Sequence, residues 1–391
     1  MAKKNKVEEV EVENVDVSSE TDVAKLSKLL IRSFNKDEEK TGKIAWNLDS
    51  DLDNPTDVKE WISTGNTLLD YCIANKAGGG VPVGKLTEVV GEEASGKSLL
   101  CTHLAAECQK KGGIVAYIDT ENAMTPEFAK AIGVDLKKMI YLQPGTVEEV
   151  EAAILKMILM TRQKAPNQLV LIVWDSIAGT PTKCEIEGEL DLNMNQQLEK
   201  AKVLSKMMRR VTGILGKERI ALVFTNQLKV KIGTMYGDPL TTPGGKAVPY
   251  HASVRIRMNR RGTEKEDETI TGVNTAAKLI KNRLGPPLRK CHFFISFAHG
   301  IEDVESWFEY MHEKGVIEKK NGWCYTPTYE GEKEFKFREA QWTSTVNGNP
   351  KFKNFILGEL DKNLIVKYGG TPEPESLMEV EQTVQDLIDP K

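Results

Sequence analysis

Leu86-Thr-Glu-Val-Val90 runs directly into Gly91-Glu-Glu-Ala-Ser-Gly-Lys-Ser98, and that octet leads on to Leu99, Leu100, Leu104 and Ala105. The octet fits the phosphate-loop pattern GxxxxGK[ST] without a mismatch, which average residue usage would give by chance in about one chain in a hundred of this length. A β-branched run before it and a helical run after it are the context that such a loop needs. Its glycines let backbone N–H groups curl around phosphate oxygens, and the following helix adds its positive end. Gly91, Glu92, Glu93, Ala94, Ser95, Gly96, Lys97, Ser98 and Leu99 are therefore expected to cradle ATP. Lys97 would reach the β- and γ-phosphates, and the Ser98 hydroxyl would ligate Mg²⁺.

Outward from this stretch, strand-like and helix-like runs alternate. Leu86–Val90, Ile114–Ile118, Leu169–Trp174, Ile220–Thr225 and Val254–Met258 are short apolar runs. Helical patterns cover Leu99–Lys111, Pro126–Ile132, Val147–Arg162 and Leu198–Leu215. This alternation predicts an α/β fold with a mostly parallel, twisted sheet flanked by helices. Continuous apolar strands such as Leu169–Trp174 fit strands buried on both faces. Asp175, at the carboxyl end of that run, stands where an acid beside a phosphate loop holds Mg²⁺. Glu121 follows the neighbouring strand and is a candidate base for activating water, with Asp119 as its competitor. Spacing does not choose between them.

The 391 residues are 40% hydrophobic and 28% charged, enough for a packed core and too apolar for a wholly disordered chain. No run approaches the ~20 apolar residues of a membrane span, and the N-terminus lacks a signal-peptide core. The six cysteines form no CxxC pair and read as reduced and buried, so a cytoplasmic protein is expected. Net charge is −4, yet Gln196–Gly262 holds fourteen Lys or Arg against three Asp or Glu. A neutral average over a basic middle points to an anionic polymer as partner.

Two features of that middle are specific. Lys202, Lys206 and Arg209 share one helix face by their spacing. A loop of about 18 residues, Leu228 to Gly245, is long for a compact domain. Lys229, Lys231 and Lys246 are placed for phosphates there, and Ile232, Met235 and Tyr236 for stacking or wedging between bases. Along the chain, residues 1–22 read as a flexible acidic arm, and 23–60 as an oligomerisation segment whose helix Val23–Phe34 needs an outside surface. Residues 61–297 read as the ATPase and DNA-binding core, 298–368 as a small α+β domain with an aromatic core, and 369–391 as an acidic, disordered tail.

These residues lie in longer strings that resemble bacterial RecA recombinases. The strings are STGNTLLD (63–70), GEEASGKSLL (91–100), AYIDTENAMTPEFAKAIGVD (116–135), WDSIAGTPTKCEIEGE (174–189), FTNQLKVKIGTMYGDPLTTPGGKA (224–247), YHASVRIRMNRRG (250–262) and KLIKNRLGPP (278–287). The resemblance runs from about Trp61 to Gly300 and continues weakly to Tyr325. It implies Glu121 as catalytic base, Phe128 as the ring on adenine and Gln227 as γ-phosphate sensor. Gly188 to about Asn195 corresponds to a first DNA loop and Leu228 to Gly245 to a second, with Lys202 and Arg209 contacting the DNA backbone. Lys281 and Arg283 match cations that reach a neighbour's ATP. Thr125, Lys229 and Pro243 (before Gly244 and Gly245) depart from the family pattern. The function implied is ATP-dependent recombination, as a helical filament on single-stranded DNA that pairs it with double-stranded DNA. A hexameric ring helicase and a P-loop kinase or nucleotide switch are the rival readings.

Overall fold

The structure, a computed structural model, describes residues 20–36, 43–48, 56–187, 194–230, 240–266, 269–327, 329 and 335–368. They fall into two units, divided after Val58. In the first, helix α1 (Glu20–Phe34) carries Val23, Leu29, Leu30 and Phe34 exposed along one side. Asn35 closes its end, its side chain bonding the backbone of Ile44 and Ala45.

The second unit begins with β1 (Trp61–Ile62), α2 (Thr67–Ala74) and β2 (Val81–Pro82). Alternation then follows: β3 (Leu86–Gly91), α3 (Lys97–Lys110), β4 (Ile114–Asp119), α4 (Pro126–Ile132), β5 (Met139–Leu142), α5 (Val147–Lys164) and β6 (Val170–Asp175). Next come α6 (Lys183–Glu187), α7 (Met194–Leu215), β7 (Ile220–Gln227), β8 (Lys229–Val230), β9 (Leu240–Thr241) and α8 (Ala247–His251). Strands β10 (Val254–Glu266), β11 (Thr269–Asn282), β12 (Lys290–Ser296) and β13 (Gly300–Ile301) complete the sheet.

That sheet has nine strands in the order β13-β12-β11-β10-β3-β7-β6-β4-β5. From β10 to β5 every neighbouring pair is parallel, and the β11–β13 side is antiparallel. Apolar residues fill both faces of the central strands because helices cover both. On one face Leu86, Ile118, Ile172, Trp174, Leu222 and Phe224 pack against Val150 and Ile154 of α5, Leu204, Met208 and Val211 of α7, and Val248 of α8. Helix α3 lies against β3, β4, β6 and β7, bringing buried Leu100 and Leu104.

The second half of the sheet is longer than the apolar runs suggest. Val254–Met258 continues to Glu266 and pairs with Thr269–Asn282, as two arms of one antiparallel hairpin. Outside the covered stretch, residues 259–264 of this ribbon are half-buried or exposed throughout, Arg260, Arg261 and Glu264 among them, so only its inner part reads as a strand. Of the six cysteines five are buried, but Cys184 on α6 is exposed, against expectation, since that short helix buries nothing.

The remaining elements are α9 (Asp303–Glu313), β14 (Glu318–Lys320), β15 (Trp323–Thr326), β16 (Phe335–Phe337), α10 (Trp342–Gly348) and α11 (Pro350–Leu364). Phe308, Phe335, Phe337, Trp342 and Phe352 form a chain of tilted and edge-on ring contacts, which Tyr329 and Phe355 extend. Trp323 instead lies under the Lys336 and Arg338 side chains.

Candidate nucleotide site and nucleic-acid interface

Between β3 and α3 the chain turns through Ala94 at φ +54° and Gly96 at φ +91°. Gly91 has no room for a side chain, since a Cβ there would lie 2.4 Å from Ser95 Oγ and 2.6 Å from the Met258 carbonyl. Ser95 Oγ and Lys97 Nζ both donate to the Glu92 carbonyl, at 2.8 and 2.7 Å. Burial pulls the Lys97 ammonium below the ordinary lysine value, while Asp175, Glu121 and Glu93 oppose that shift. A partly desolvated cation at the mouth of a helix is a suitable seat for a polyphosphate.

Asp175 ends β6 beside this loop and is buried. Its two oxygens accept the hydroxyls of Tyr117 (2.9 Å) and Thr225 (2.5 Å), which lock the carboxylate between β4 and β7. A carboxylate has about four acceptor positions, so Asp175 retains capacity toward a metal-bound water. One strand over, the geometry separates the two candidate bases. Asp119 is buried and accepts the N–H groups of Glu121, Ala123 and Met124 and the Tyr141 hydroxyl. Its lone pairs are committed to shaping the turn after β4. Glu121 is exposed, and its Oε1 accepts the Ser176 hydroxyl, which in turn accepts the Gly179 N–H at 3.1 Å.

Gln227, half-buried, ends β7 next to the loop. The following residue, Leu228, donates its N–H to the Gly91 carbonyl at 3.2 Å. Gly91 to Leu99, Glu121, Asp175 and Gln227 thus converge at the carboxyl edge of β3, β4, β6 and β7. Phe128 is half-buried on α4. Lys281 and Arg283 are elsewhere: both donate to carbonyls at the end of α8, Lys281 to Pro249 and Tyr250 (2.7 and 2.8 Å), Arg283 to Tyr250 (3.2 Å). Burial, reinforced by Arg283 and Arg255 and opposed by Glu88, pushes the Lys281 ammonium down to about 8.

The polar side chains that hold these groups, Tyr117, Ser176 and Thr225, carried no signal in the sequence. They sit within apolar strands or just after them, and only strand order makes them neighbours.

Residues expected to meet DNA divide into three groups. Gly188, Lys231, Met235 and Tyr236 lie outside the described residues. Asn195 is not in a loop as expected; the backbone is already helical at Met194, so it falls in the first turn of α7. Lys202, Lys206 and Arg209 are exposed on the side of α7 opposite Leu204, Met207, Met208 and Val211. Lys202 pairs locally with Glu199 at 2.7 Å. Several other cations of the basic segment are matched to acids: Arg210 with Glu151, Arg219 with Glu60 and Arg255 with Glu88.

The long loop is not open at its base. Lys229 pairs with Thr241 and Val230 with Leu240 in an antiparallel ribbon, with the exposed Lys229 at its root. Gly244 and Gly245 follow at φ +88° and +73°, and a Cβ on Gly244 would lie 2.4 Å from Leu204 Cδ1. Their backbone packs directly on α7. Lys246 is exposed at the start of α8. A cleft of about 780 Å³ opens between this root and the chain after β6, lined by Gly179, Lys200, Lys229, Pro243 and Gly244 among others. Lys200 holds its wall, donating to the Thr180 carbonyl at 2.6 Å.

A phosphate loop on a central parallel strand, with carboxylates at the carboxyl edges of β6 and β4 beyond the intervening β7, defines a P-loop nucleotide-binding α/β protein. A family model described as the RecA N-terminal domain matches residues 30–302. Protein RecA of Paracoccus denitrificans is 38% identical over 272 residues, covering 69% of this chain and 73% of its own. Protein RecA of Ruminococcus albus is 37% identical over 331 residues, with 84% and 78% covered. That of Trichodesmium erythraeum is 34% identical over 332, with 84% and 88% covered. The chain belongs to the RecA family of ATP-dependent recombination proteins.

Proposed function

We propose that this chain polymerises as a helical filament on single-stranded DNA with ATP bound, pairs that strand with homologous duplex DNA, and hydrolyses ATP in a DNA-dependent manner. The observation that carries the reading is the Ser176 hydroxyl. It joins the Glu121 carboxylate to the Gly179 backbone, which lines the cleft, so the candidate base and the candidate DNA surface share one hydrogen-bonded group.

In this reading the loop Gly91–Ser98 wraps the phosphates with its N–H groups, and Lys97 gives up its bond to the Glu92 carbonyl to reach them. Ser98 and Asp175 would hold Mg²⁺, which would supply positive charge to offset that of the phosphates. Glu121 orients and deprotonates the attacking water, while Asp119 keeps the turn beneath it in shape. Phe128 stacks on the base. Gln227 senses the γ-phosphate and passes its loss to the loop rooted at Lys229. Lys281 and Arg283 act on the neighbouring protomer's nucleotide. Residues 23–60 would pack on that neighbour, 298–368 would form a small accessory domain, and 369–391 an acidic tail. The cytoplasm is the proposed location; among the described residues no helix is long and apolar enough to cross a membrane.

ATP hydrolysis measured with and without single-stranded DNA tests the reading. Stimulation by DNA together with stoichiometric coating of the strand is expected. Hydrolysis indifferent to DNA would favour a kinase-like or switch-like P-loop protein, and duplex unwinding by a closed ring would favour a helicase.

A further inference from the structure

We propose that a polar row, Asn226–Glu88–Arg255–Lys281, with Asn226 and Glu88 buried, couples the nucleotide-sensing end of β7 to the loop root and to the cation that serves the next protomer, with Glu88 as its positioning residue. The row crosses four adjacent strands. The register sets Glu88 of β3 opposite Arg255 of β10, and Arg255 opposite Lys281 of β11. On the other side of β3, Asn226 of β7 stands opposite Val90, one pleat along from Glu88 on the same face.

Side-chain hydrogen bonds join Asn226, Glu88 and Arg255, and the strand register sets Lys281 beside Arg255. Glu88, with no exposed surface, accepts Arg255 Nε at 2.5 Å on one oxygen and the Asn226 amide at 3.2 Å on the other. The same Asn226 amide donates to the Pro243 carbonyl at 3.2 Å, just before the two left-handed glycines that seat the loop on α7. Its oxygen accepts the Gln227 N–H at 3.0 Å. A movement of Gln227 therefore shifts the group that ties Pro243 to Glu88. At the far end Arg255 and Glu88 both act on the Lys281 ammonium, in opposite directions.

Burying a carboxylate with no exposed surface is costly unless it is paired, and Arg255 and Asn226 supply one donor to each of its oxygens. Such a network rearranges as a unit or not at all, as a coupling element requires. Fold alone does not ask for a carboxylate at Glu88, because the residues level with it in β7, β6 and β4, Phe224, Trp174 and Ile118, are apolar.

This inference rests on the proposed function, and its test keeps the two apart. Affinity for a fluorescent oligo-dT strand is measured with a non-hydrolysable ATP analogue and with ADP, for the parent, Glu88→Gln and Asn226→Ala. The parent should bind more tightly with the ATP analogue. Both variants should compress that ratio by about tenfold, while binding of a fluorescent ADP analogue changes less than about twofold. A purely structural role would lower both DNA affinities together and leave the ratio intact. Should Glu88→Gln fail to fold, Glu88→Gln/Arg255→Gln, which removes both charges, replaces it and should compress the ratio equally. A parental ratio that survives in the folded variants overturns the row alone. A parent that does not distinguish the two nucleotides overturns the functional reading and the row with it.

Discussion

At the residue scale, two carboxylates two positions apart have different fates because of what donates to them. Three backbone N–H groups and a phenol saturate Asp119. Glu121 has one hydroxyl partner and faces the site. Glu121→Gln should therefore retain nucleotide binding and lose at least about a hundredfold in kcat, read as ATP turnover beside ATP-analogue affinity. Asp119→Asn should instead lower stability. His103 offers a pH test. It is wedged between Gly65 and Gly300 and accepts the Ile301 N–H at 2.9 Å, and burial, with Lys110 adding, pushes its value from 6.5 to about 4. The unfolded chain then takes up a proton first as the pH falls, so this stability is full above 6.5 and is lost on the way down to about 4. Between about pH 7.5 and pH 5 the parent should lose roughly 2 kcal/mol more than His103→Gln in urea unfolding. Parallel losses would mean that the imidazole is not buried neutral.

At the element scale, the second loop depends on how its root is anchored. An alanine at Gly244 must adopt a left-handed backbone, costing roughly 1–2 kcal/mol, and must also displace Leu204. Gly244→Ala should destabilise the protein by that order and weaken single-strand binding. Gly262→Ala, where a Cβ meets nothing within 4 Å, should do neither. Charge on these elements is tested by salt. Lys229→Ala should flatten the log–log salt dependence of single-strand binding by about 0.7, the share of one phosphate. Arg210, turned toward Glu151, should leave the slope unchanged when replaced by alanine. Equal slopes for the parent and Lys229→Ala would remove the ribbon from the DNA surface.

For the whole molecule, the issue is where Lys281 and Arg283 act. Within the protomer they rest on the α8 carbonyls, away from Lys97 and Asp175. A site completed by a neighbour makes hydrolysis depend on assembly. Glu121→Gln and the double variant Lys281→Ala/Arg283→Ala should each be nearly inactive yet still coat DNA. Mixed at random, head-to-tail copolymers rebuild a complete site at about a quarter of their interfaces, so ATPase activity should return. A mixture as inactive as its parts, with both variants shown to co-polymerise, would place the two cations outside the shared site.

The phosphate loop, the parallel centre of the sheet and the acids at its carboxyl edges were all legible in the chain, because each is a local signal. A glycine spacing, a continuous apolar run and a carboxylate at the end of that run need no long-range information. The exposed stripe of α7 was legible for the same reason, since helical spacing alone puts Lys202, Lys206 and Arg209 on one side. The choice between Asp119 and Glu121 was legible only through family resemblance, and hydrogen-bond geometry supplies an independent physical reason. The outer hairpin was not legible, because residues 259–264 bury no apolar side chain and carry no apolar signature. Glu88, Asn226 and Arg255 lie at scattered positions in the sequence. Strand order alone makes them neighbours, and a buried charge is tolerated there because the register of three different strands delivers its partners to one place.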